Sequence, residues 1–523
     1  MKWAVNIASN YLRFIASLLI MAVMTPYIIE TIGLDDYGLW ILVYAAIGLI
    51  NLSDMGFATA AVKFIAEQEG SNNFARRNAL LGSLLIAYLI IGLTCAGLVL
   101  GLDAAQWAPG GSTQSTAQSS NLFVLLGLTT AICLTFSVFR AALMASGQQT
   151  ALNLLTLIVI VAQAVLTYVL LEQGAGIMGI ALANCCGLLS QALLTLPLCA
   201  RLLPQFRPIL TKSWRADLGP IAKFSCWAFI ANGAFMLILR IDPFIVEAML
   251  SLQAVALLGI ALKIAEQILL FNKQFSNALM PLIAQQHGRG EQAGPAQLFK
   301  LGTKYLLAFA IPFTLLTAVS AESLIHAWVG PRMTPAAPTL MVLCVAALLS
   351  TMQLNAANVL GMTGQARHVA LIMLSSVVTK IFVTINIFPS VGIIGCAVGT
   401  LVGALLFECL GNLHKACQLT NQSLLSFFQQ AIAPGMISSL PFVAMSYQLN
   451  IESEHLLSFP ALLLVNGIAG VASLVTFYVF FVKTAERQWL TQFFIKPSNK
   501  PSSDPSKQHS IQESTSCQLS SSR

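Results

Sequence analysis

The chain has 523 residues, of which 57% are hydrophobic and 9% charged, and it carries a formal net charge of +7. Its mean hydropathy is +0.79, and soluble domains hold about 25% charged residues, so the composition excludes a soluble globular protein. In so apolar a chain the positive charge is a topology signal and gives no reason to invoke nucleic acid.

Taken in chain order, apolar runs long enough to cross a hydrocarbon layer of ~30 Å are predicted near 9–29, 38–57, 78–100, 121–145, 150–171 and 176–199. A second set lies near 221–249, 254–280, 301–320, 339–361, 369–388 and 391–414, and two more near 431–448 and 459–482, which makes fourteen. No small-residue cleavage site follows the first run, so it reads as a retained helix. Residues 56–70 and 285–300 read as short helices on the inner surface, with basic residues towards lipid headgroups. The longest outside connection, about 101–120, is too short for a domain, and 483–523, rich in Ser, Gln, Lys and Pro, reads as a disordered tail.

The pattern occurs twice. Pro26-Tyr27-Ile28-Ile29-Glu30 recurs as Pro243-Phe244-Ile245-Val246-Glu247, and Phe64-Ile65-Ala66-Glu67-Gln68 as Leu282-Ile283-Ala284-Gln285-Gln286. Ser146-Gly147-Gln148 recurs as Thr363-Gly364-Gln365, and Gly176-Ile177-Met178-Gly179 as Gly392-Ile393-Ile394-Gly395. All four offsets fall between 216 and 218, so the chain reads as a duplicated membrane unit. Six spans per unit is an even number. The two units therefore run parallel, related by an axis along the membrane normal, the layout of an alternating-access transporter. The expected fold is all-α integral membrane: a six-helix lobe over 1–200, a second over 201–417, two further helices over 418–482 and the tail.

Charge asymmetry supports this count. With the N-terminus inside, the inner segments hold Lys63, Arg76, Arg77, Arg201, Arg207, Lys212, Arg215, Arg289, Lys300, Arg367, Lys415 and the tail lysines. The outer segments hold Glu30, Asp35, Asp36, Asp103, Glu172, Glu322, Glu452 and Glu454, with Arg332 their single basic residue. This alternation predicts that both termini are cytoplasmic.

Ionisable residues inside spans are costly in hydrocarbon and face a cavity or a partner. Arg240, Asp242, Lys263 and Glu266 cluster in the seventh and eighth spans, where they either line a path or pair with one another and join two helices. Asp242-Pro243 is expected to kink its helix and free backbone carbonyls. Lys380 lies near mid-membrane in the eleventh span with no acid within a turn. Arg13 lies in the inner third of the first span, while Arg140 and Lys273 sit near inner ends and read as interface markers. Asp54 and Glu408 lie towards the inner face, where an acid can counter an arginine or carry a proton. The cations Arg13, Arg240, Lys263 and Lys380 outnumber the deep acids Asp242 and Glu266. A surplus of positive charge suits an anionic passenger such as a phosphate or pyrophosphate. Ion-coupling candidates are Asp242, Glu266, Asp54 and Glu408.

Other chemistry is not indicated. The eleven cysteines lie almost all in apolar runs without a CxxC pair, and read as small packing residues. No metal or cofactor is expected, and the lack of a GxxxxGK loop argues against direct ATP drive. Gly392, Gly395, Gly399 and Gly403 line one side of the twelfth span and read as a packing stripe.

The N-terminal run carries Thr25-Pro26-Tyr27, then Ile32-Gly33-Leu34-Asp35-Asp36-Tyr37-Gly38-Leu39-Trp40 and Asp54-Met55-Gly56. With these residues the chain resembles the polysaccharide exporters of the MOP superfamily, and more narrowly the Wzx-type flippases for O-antigen or capsule units. The resemblance implies a flippase for a polyprenyl-pyrophosphate-linked oligosaccharide, with a cationic central cavity for the headgroup and the lipid tail outside in the bilayer. It also implies coupling to an ion gradient, and a polysaccharide polymerase and chain-length proteins as partners beside membrane lipids. Two alternatives share the layout, a lipid II-type flippase and a multidrug or cation antiporter. An enzyme, such as a polymerase or ligase, fits poorly because no outside loop is long enough to carry a catalytic centre.

Overall fold

Gly33 divides the first long apolar stretch. In the computed structural model one helix runs from Lys2 to Ile50, and Gly33 interrupts it with a φ of 83°, a conformation that costs an L side chain but not glycine. The two parts are α1 (residues 2–32) and α2 (residues 34–50). Next come α3 (Phe74–Ala104), α4 (Thr116–Ala145), α5 (Gln149–Glu172) and α6 (Gly176–Leu202). The second set is α7 (Phe229–Met249), α8 (Leu252–Gly288), α9 (Ala293–Val319), α10 (Ala337–Met362), α11 (Ala366–Val391) and α12 (Ile394–Leu419). A short helix, Ala321–Val329, and a 3-10 turn lie between α9 and α10. Last are α13 (residues 424–452) and α14 (Phe459–Phe481). The structure describes residues 2–50, 74–105, 116–203, 229–288, 293–452 and 458–482, with isolated positions in 61–68 and 205–227. Asp54, most of the expected surface helix 56–70 and the tail from 483 lie outside the described residues.

Twelve continuous segments are long and apolar enough to cross a membrane. The first of them contains both α1 and α2, and the more polar α13 completes fourteen spans among the described residues. Lys2–Phe477 forms one compact unit. Large apolar side chains face outward along the spans, as a lipid solvent requires. On α11, Phe382 is 68% exposed while Lys380, two residues away on the opposite face, is 1% exposed.

The duplication is visible in local backbone geometry. After α4, Gly147 has φ 73° and Gln148 N–H bonds to the Leu143 carbonyl at 2.9 Å. After α10, Gly364 has φ 85° and Gln365 N–H bonds to the Leu360 carbonyl at 2.8 Å. Each is the six-to-one closure with a left-handed residue that ends many helices. Gly176 (φ 55°) and Gly392 (φ 62°) repeat one another in the same way at the entries to α6 and α12.

Between the lobes, equivalent residues touch. A Cβ on Gly38 would fall 1.9 Å from the Leu252 carbonyl oxygen, and one on Gly259 2.8 Å from Ile41. Each of these pairs is separated by nearly the repeat offset. In a two-fold arrangement only residues beside the axis meet their own equivalents, so α2 and α8 flank a pseudo-two-fold axis.

Two expectations need correction. Residues 285–288 complete α8 and residues 293–300 begin α9, so the described part of 285–300 belongs to these two spans and not to a separate surface helix. Gly392 does not belong to the packing stripe, because nothing lies within 4 Å of its added Cβ and its role is the turn. Gly395, Gly399 and Gly403 do pack closely on α11. A Cβ on each would come within 3.0 Å of Phe388 Cα, 2.7 Å of the Lys380 carbonyl and 2.8 Å of the Ser376 carbonyl respectively.

Candidate functional site

The helix ladder of α7 breaks at Ile241, just before Asp242-Pro243, as the proline predicts. The Ile238 carbonyl there accepts a hydrogen bond from Lys380 Nζ. Lys380 Nζ also lies 2.9 Å from Asp242 Oδ2, and the two side chains are 1% and 0% exposed. This corrects the reading of Lys380 as isolated. Its partner comes from a helix 138 positions away in the chain, which no search along its own helix detects. The pair clasps α7 to α11, and the surplus of deep positive charge is correspondingly smaller.

Arg240 and Glu266 also pair, at 2.9 Å, joining α7 to α8 with about a fifth of each side chain exposed. The Arg240 guanidinium stands over the Tyr44 ring at 5.5 Å, and its methylenes pass 3.2 Å from where a Cβ on Gly48 would be. Arg240 thus reaches from the second lobe onto α2. Lys263 does not join this pair. It donates to Thr25 Oγ1 at 3.2 Å and Tyr37 Oη at 3.3 Å, tying α8 to α1 and α2, while Trp328 Nε1 donates to the Ala22 carbonyl at 2.7 Å. With Gly38 against Leu252, these contacts close the two lobes on the side of Gly33.

Towards the other side the first lobe opens into a cavity of about 200 Å³. Tyr44 of α2, Thr130, Ser137 and Arg140 of α4, and Asn184, Gln191 and Thr195 of α6 supply its polar lining, and no carboxylate is among the described lining residues. Arg140, an interface marker by sequence, is therefore the charged group among the described lining residues of this cavity. Arg13 on α1 does not line it, but its charge and that of Arg140 act on one another, and Arg13 Nε is buried without a hydrogen-bond partner. Lys263 and Lys380 do not line it.

The second lobe holds a smaller hollow of about 50 Å³, bounded by Phe235 and Leu239 of α7, Glu266 of α8, Ser350 of α10, and Thr400 and Glu408 of α12. Glu408 is 4% exposed and accepts hydrogen bonds from Ser350 Oγ at 2.7 Å and Ser376 Oγ at 2.8 Å. It lies in a π-helical segment, Ala404–Cys409, a local widening often found at functional positions.

Sequence reasoning passed over a buried amide and hydroxyl network in the same lobe. Asn272 of α8 donates to Thr351 of α10 at 3.1 Å, and Ser276 donates to Asn355 at 2.7 Å. Asn358 donates to Ser276 at 2.8 Å, and Asn412 of α12 donates to Gln353 at 2.8 Å. The available signal was spacing: Asn272 and Ser276, like Thr351, Asn355 and Asn358, recur on one helical face within apolar runs.

Two six-helix lobes about a pseudo-two-fold axis, with a polar cavity between membrane helices, define a multi-pass membrane protein with a fold also seen in solved lipid and drug transporters. The chain has the fold of the lipid II flippase MurJ in an inward closed conformation, with a TM-score of 0.67, 11% identity and coverage of 91% of this chain and 99% of that one. It also resembles an inward-facing multidrug resistance MATE family transporter of the MOP superfamily, with a TM-score of 0.57, 16% identity and coverage of 78% and 99%. The family model described as polysaccharide biosynthesis protein matches residues 2–287, and the MatE model matches residues 228–385. The first match spans more than half of the chain, which belongs to the polysaccharide biosynthesis protein family. A relative, the uncharacterized membrane protein EpsK of Bacillus subtilis (strain 168), is 22% identical over 357 residues, 65% of this chain and 68% of that one.

Proposed function

We propose that this multi-pass membrane transporter moves a polyprenyl-pyrophosphate-linked oligosaccharide, an O-antigen, capsule or exopolysaccharide repeat unit, from the inner to the outer face of the bacterial cytoplasmic membrane. The observation that carries the reading is the cavity of the first lobe: one arginine among hydroxyls and amides, with no carboxylate among its described lining residues. Arg140 suits a phosphate oxygen. Asn184, Gln191, Thr130 and Tyr44 offer the mixed donors and acceptors that sugar hydroxyls need. Arg240, over Tyr44, is the second cation at hand and would exchange Glu266 for the headgroup.

Alternating access follows from the closed contacts on the Gly33 side and the cavity on the other. An ion gradient supplies the drive, and both termini face the cytoplasm. The lobes extend over 1–200 and 201–417. The protein acts as a carrier and not an enzyme, handing its passenger to a polysaccharide polymerase and chain-length proteins.

Deleting the gene tests the reading. Loss of one surface glycan, with its lipid-linked precursor accumulating inside, is the expected result. Restoring the chain with Arg140→Ala at normal membrane level should leave the precursor accumulating, and Arg140→Lys should recover part of the export. Accumulation of lipid II instead would assign a peptidoglycan precursor as passenger, and unchanged glycans with altered drug sensitivity would overturn the glycan reading.

A further inference from the structure

In the membrane core of the second lobe one buried acid has no cation beside it among the described residues. Lys380 is matched by Asp242 and Arg240 by Glu266. Glu408 is a further buried carboxyl, and among the described residues no cation lies within salt-bridge distance of it. An unpaired carboxylate taken out of water is so costly that such groups give up their charge by binding a proton.

We infer that Glu408 is a reversible proton-binding site, loaded and unloaded through the hollow that it shares with Glu266. Its two partners suit the task. A serine hydroxyl is both donor and acceptor and rotates freely. Ser350 and Ser376 therefore both donate to the carboxylate, and either turns to accept when the carboxyl bears the proton. A cage of amide donors or an arginine would hold only the anion, and an apolar cage only the acid. The close approach of α11 and α12 at Gly403, where an added Cβ would lie 2.9 Å from Ser376 Oγ, is what brings Ser376 within reach.

Access comes from the hollow. Its volume of about 50 Å³ exceeds the space needed by a single water, and Glu266, Ser350 and Thr400 give a water polar partners. Proton transfer is then a simple exchange: the Glu408 O–H bond breaks, the proton passes to the water, and the electron pair stays on the carboxylate.

The charged and titratable groups around Glu408 set when this happens. Glu266 of α8 faces it across the hollow, Lys380 of α11 is near enough for its charge to be felt, and Cys409 adjoins it on α12. Asp242 of α7 is held by Lys380, and Lys273 of α8 lies over the Phe235 ring at 4.2 Å. Arg240 faces both the hollow's acid and the cavity of the first lobe, through Glu266 and Tyr44. When Arg240 leaves Glu266 for an anion, two uncompensated acids face one hollow and the proton is held more firmly. As the identity of the coupling ion this inference rests on the proposed transport function; as a protonation site it stands without it.

Dicyclohexylcarbodiimide reacts with protonated carboxyls in apolar surroundings and tests the site on the full-length protein, with peptide mass spectrometry locating the adduct. Glu408 should be modified at low pH, and each pH unit above its midpoint should reduce modification about tenfold, with no effect of sodium. Difference infrared spectroscopy needs no reagent access. A carboxyl C=O band lost on raising the pH in the wild type, and missing from Glu408→Gln, is the expected result. A pH-independent spectrum together with no adduct, or suppression by sodium in place of pH, would overturn the inference. A pH-dependent adduct in a protein whose deletion leaves every surface glycan intact would keep the site and remove the glycan reading.

Discussion

Gln253 donates its side-chain amide to the Asp35 carboxylate at 3.4 Å, and the two residues stand 218 positions apart, one more than the main repeat offset. With Gly38 against Leu252 and Ile41 against Gly259, this puts near-equivalent residues of the two lobes face to face along a single seam. A seam built of near-equivalents opens symmetrically, because a small rotation about the axis separates all of its pairs together.

Gly38→Val should prevent the seam from closing, since even its Cβ would fall 1.9 Å from a backbone carbonyl that cannot yield as a side chain does. A cysteine placed at Gln253, in a chain without its native cysteines, should then react faster with a membrane-impermeant maleimide than it does beside Gly38. Equal rates would show that the seam tolerates a side chain here.

Removing one member of the Lys380–Asp242 pair should cost more than removing both. A lone buried charge left by Lys380→Met or Asp242→Asn is expected to destabilise by about 3–5 kcal/mol, whereas the neutral double variant keeps the packing and loses only the pair. Membrane abundance and thermal unfolding of the three proteins check this. Equal loss in single and double variants would mean that the charges serve the passenger directly.

Glu266 and an anionic headgroup compete for Arg240 in the proposed mechanism. Glu266→Gln should therefore tighten binding of a short-chain polyprenyl pyrophosphate, and Arg240→Gln should weaken it. Calorimetric titration of the purified protein distinguishes this from a purely structural pair, for which both variants would weaken binding or neither would change it.

Gly399→Leu should separate α11 from α12, because an added Cβ meets Thr384 Oγ1 at 2.2 Å and the Lys380 carbonyl at 2.7 Å. Gly97→Leu, at an exposed α3 position with nothing within 4 Å, is the matching control and should leave the protein's abundance unchanged. Comparable losses in both would remove close packing as the reason for the stripe.

Reporter fusions after residues 111 and 452 should read as external, and fusions after 70, 212 and 290 as cytoplasmic. A cytoplasmic signal at 452 would contradict the charge alternation on which the orientation rests.

Much of the fold was legible in the chain because its signals are local. A membrane span needs only a run of apolar residues, a proline breaks its own helix, and a turn glycine acts on its own backbone. Fourteen spans, the break at Asp242-Pro243 and the matched turns at Gly147 and Gly364 all follow from such signals. The candidate site was less legible. Charge counting identified Arg240, Lys380, Asp242, Glu266 and Glu408 as deep groups, yet it left Lys380 unpaired and set Arg140 at the interface.

The sequence by itself determined that this is a duplicated, all-helical membrane protein with ionisable groups held in its interior. The cost of bare backbone and bare charge in hydrocarbon leaves a sequence of this composition little choice. The tertiary structure alone decided which charge meets which. Lys380 finds Asp242 138 residues away, Arg240 passes Gly48 to reach Tyr44, and Glu408 meets serines from two other helices in place of a cation. Helix rotation and lobe packing set these partnerships, and both depend on side-chain volumes summed over whole interfaces, which no local pattern in the chain displays.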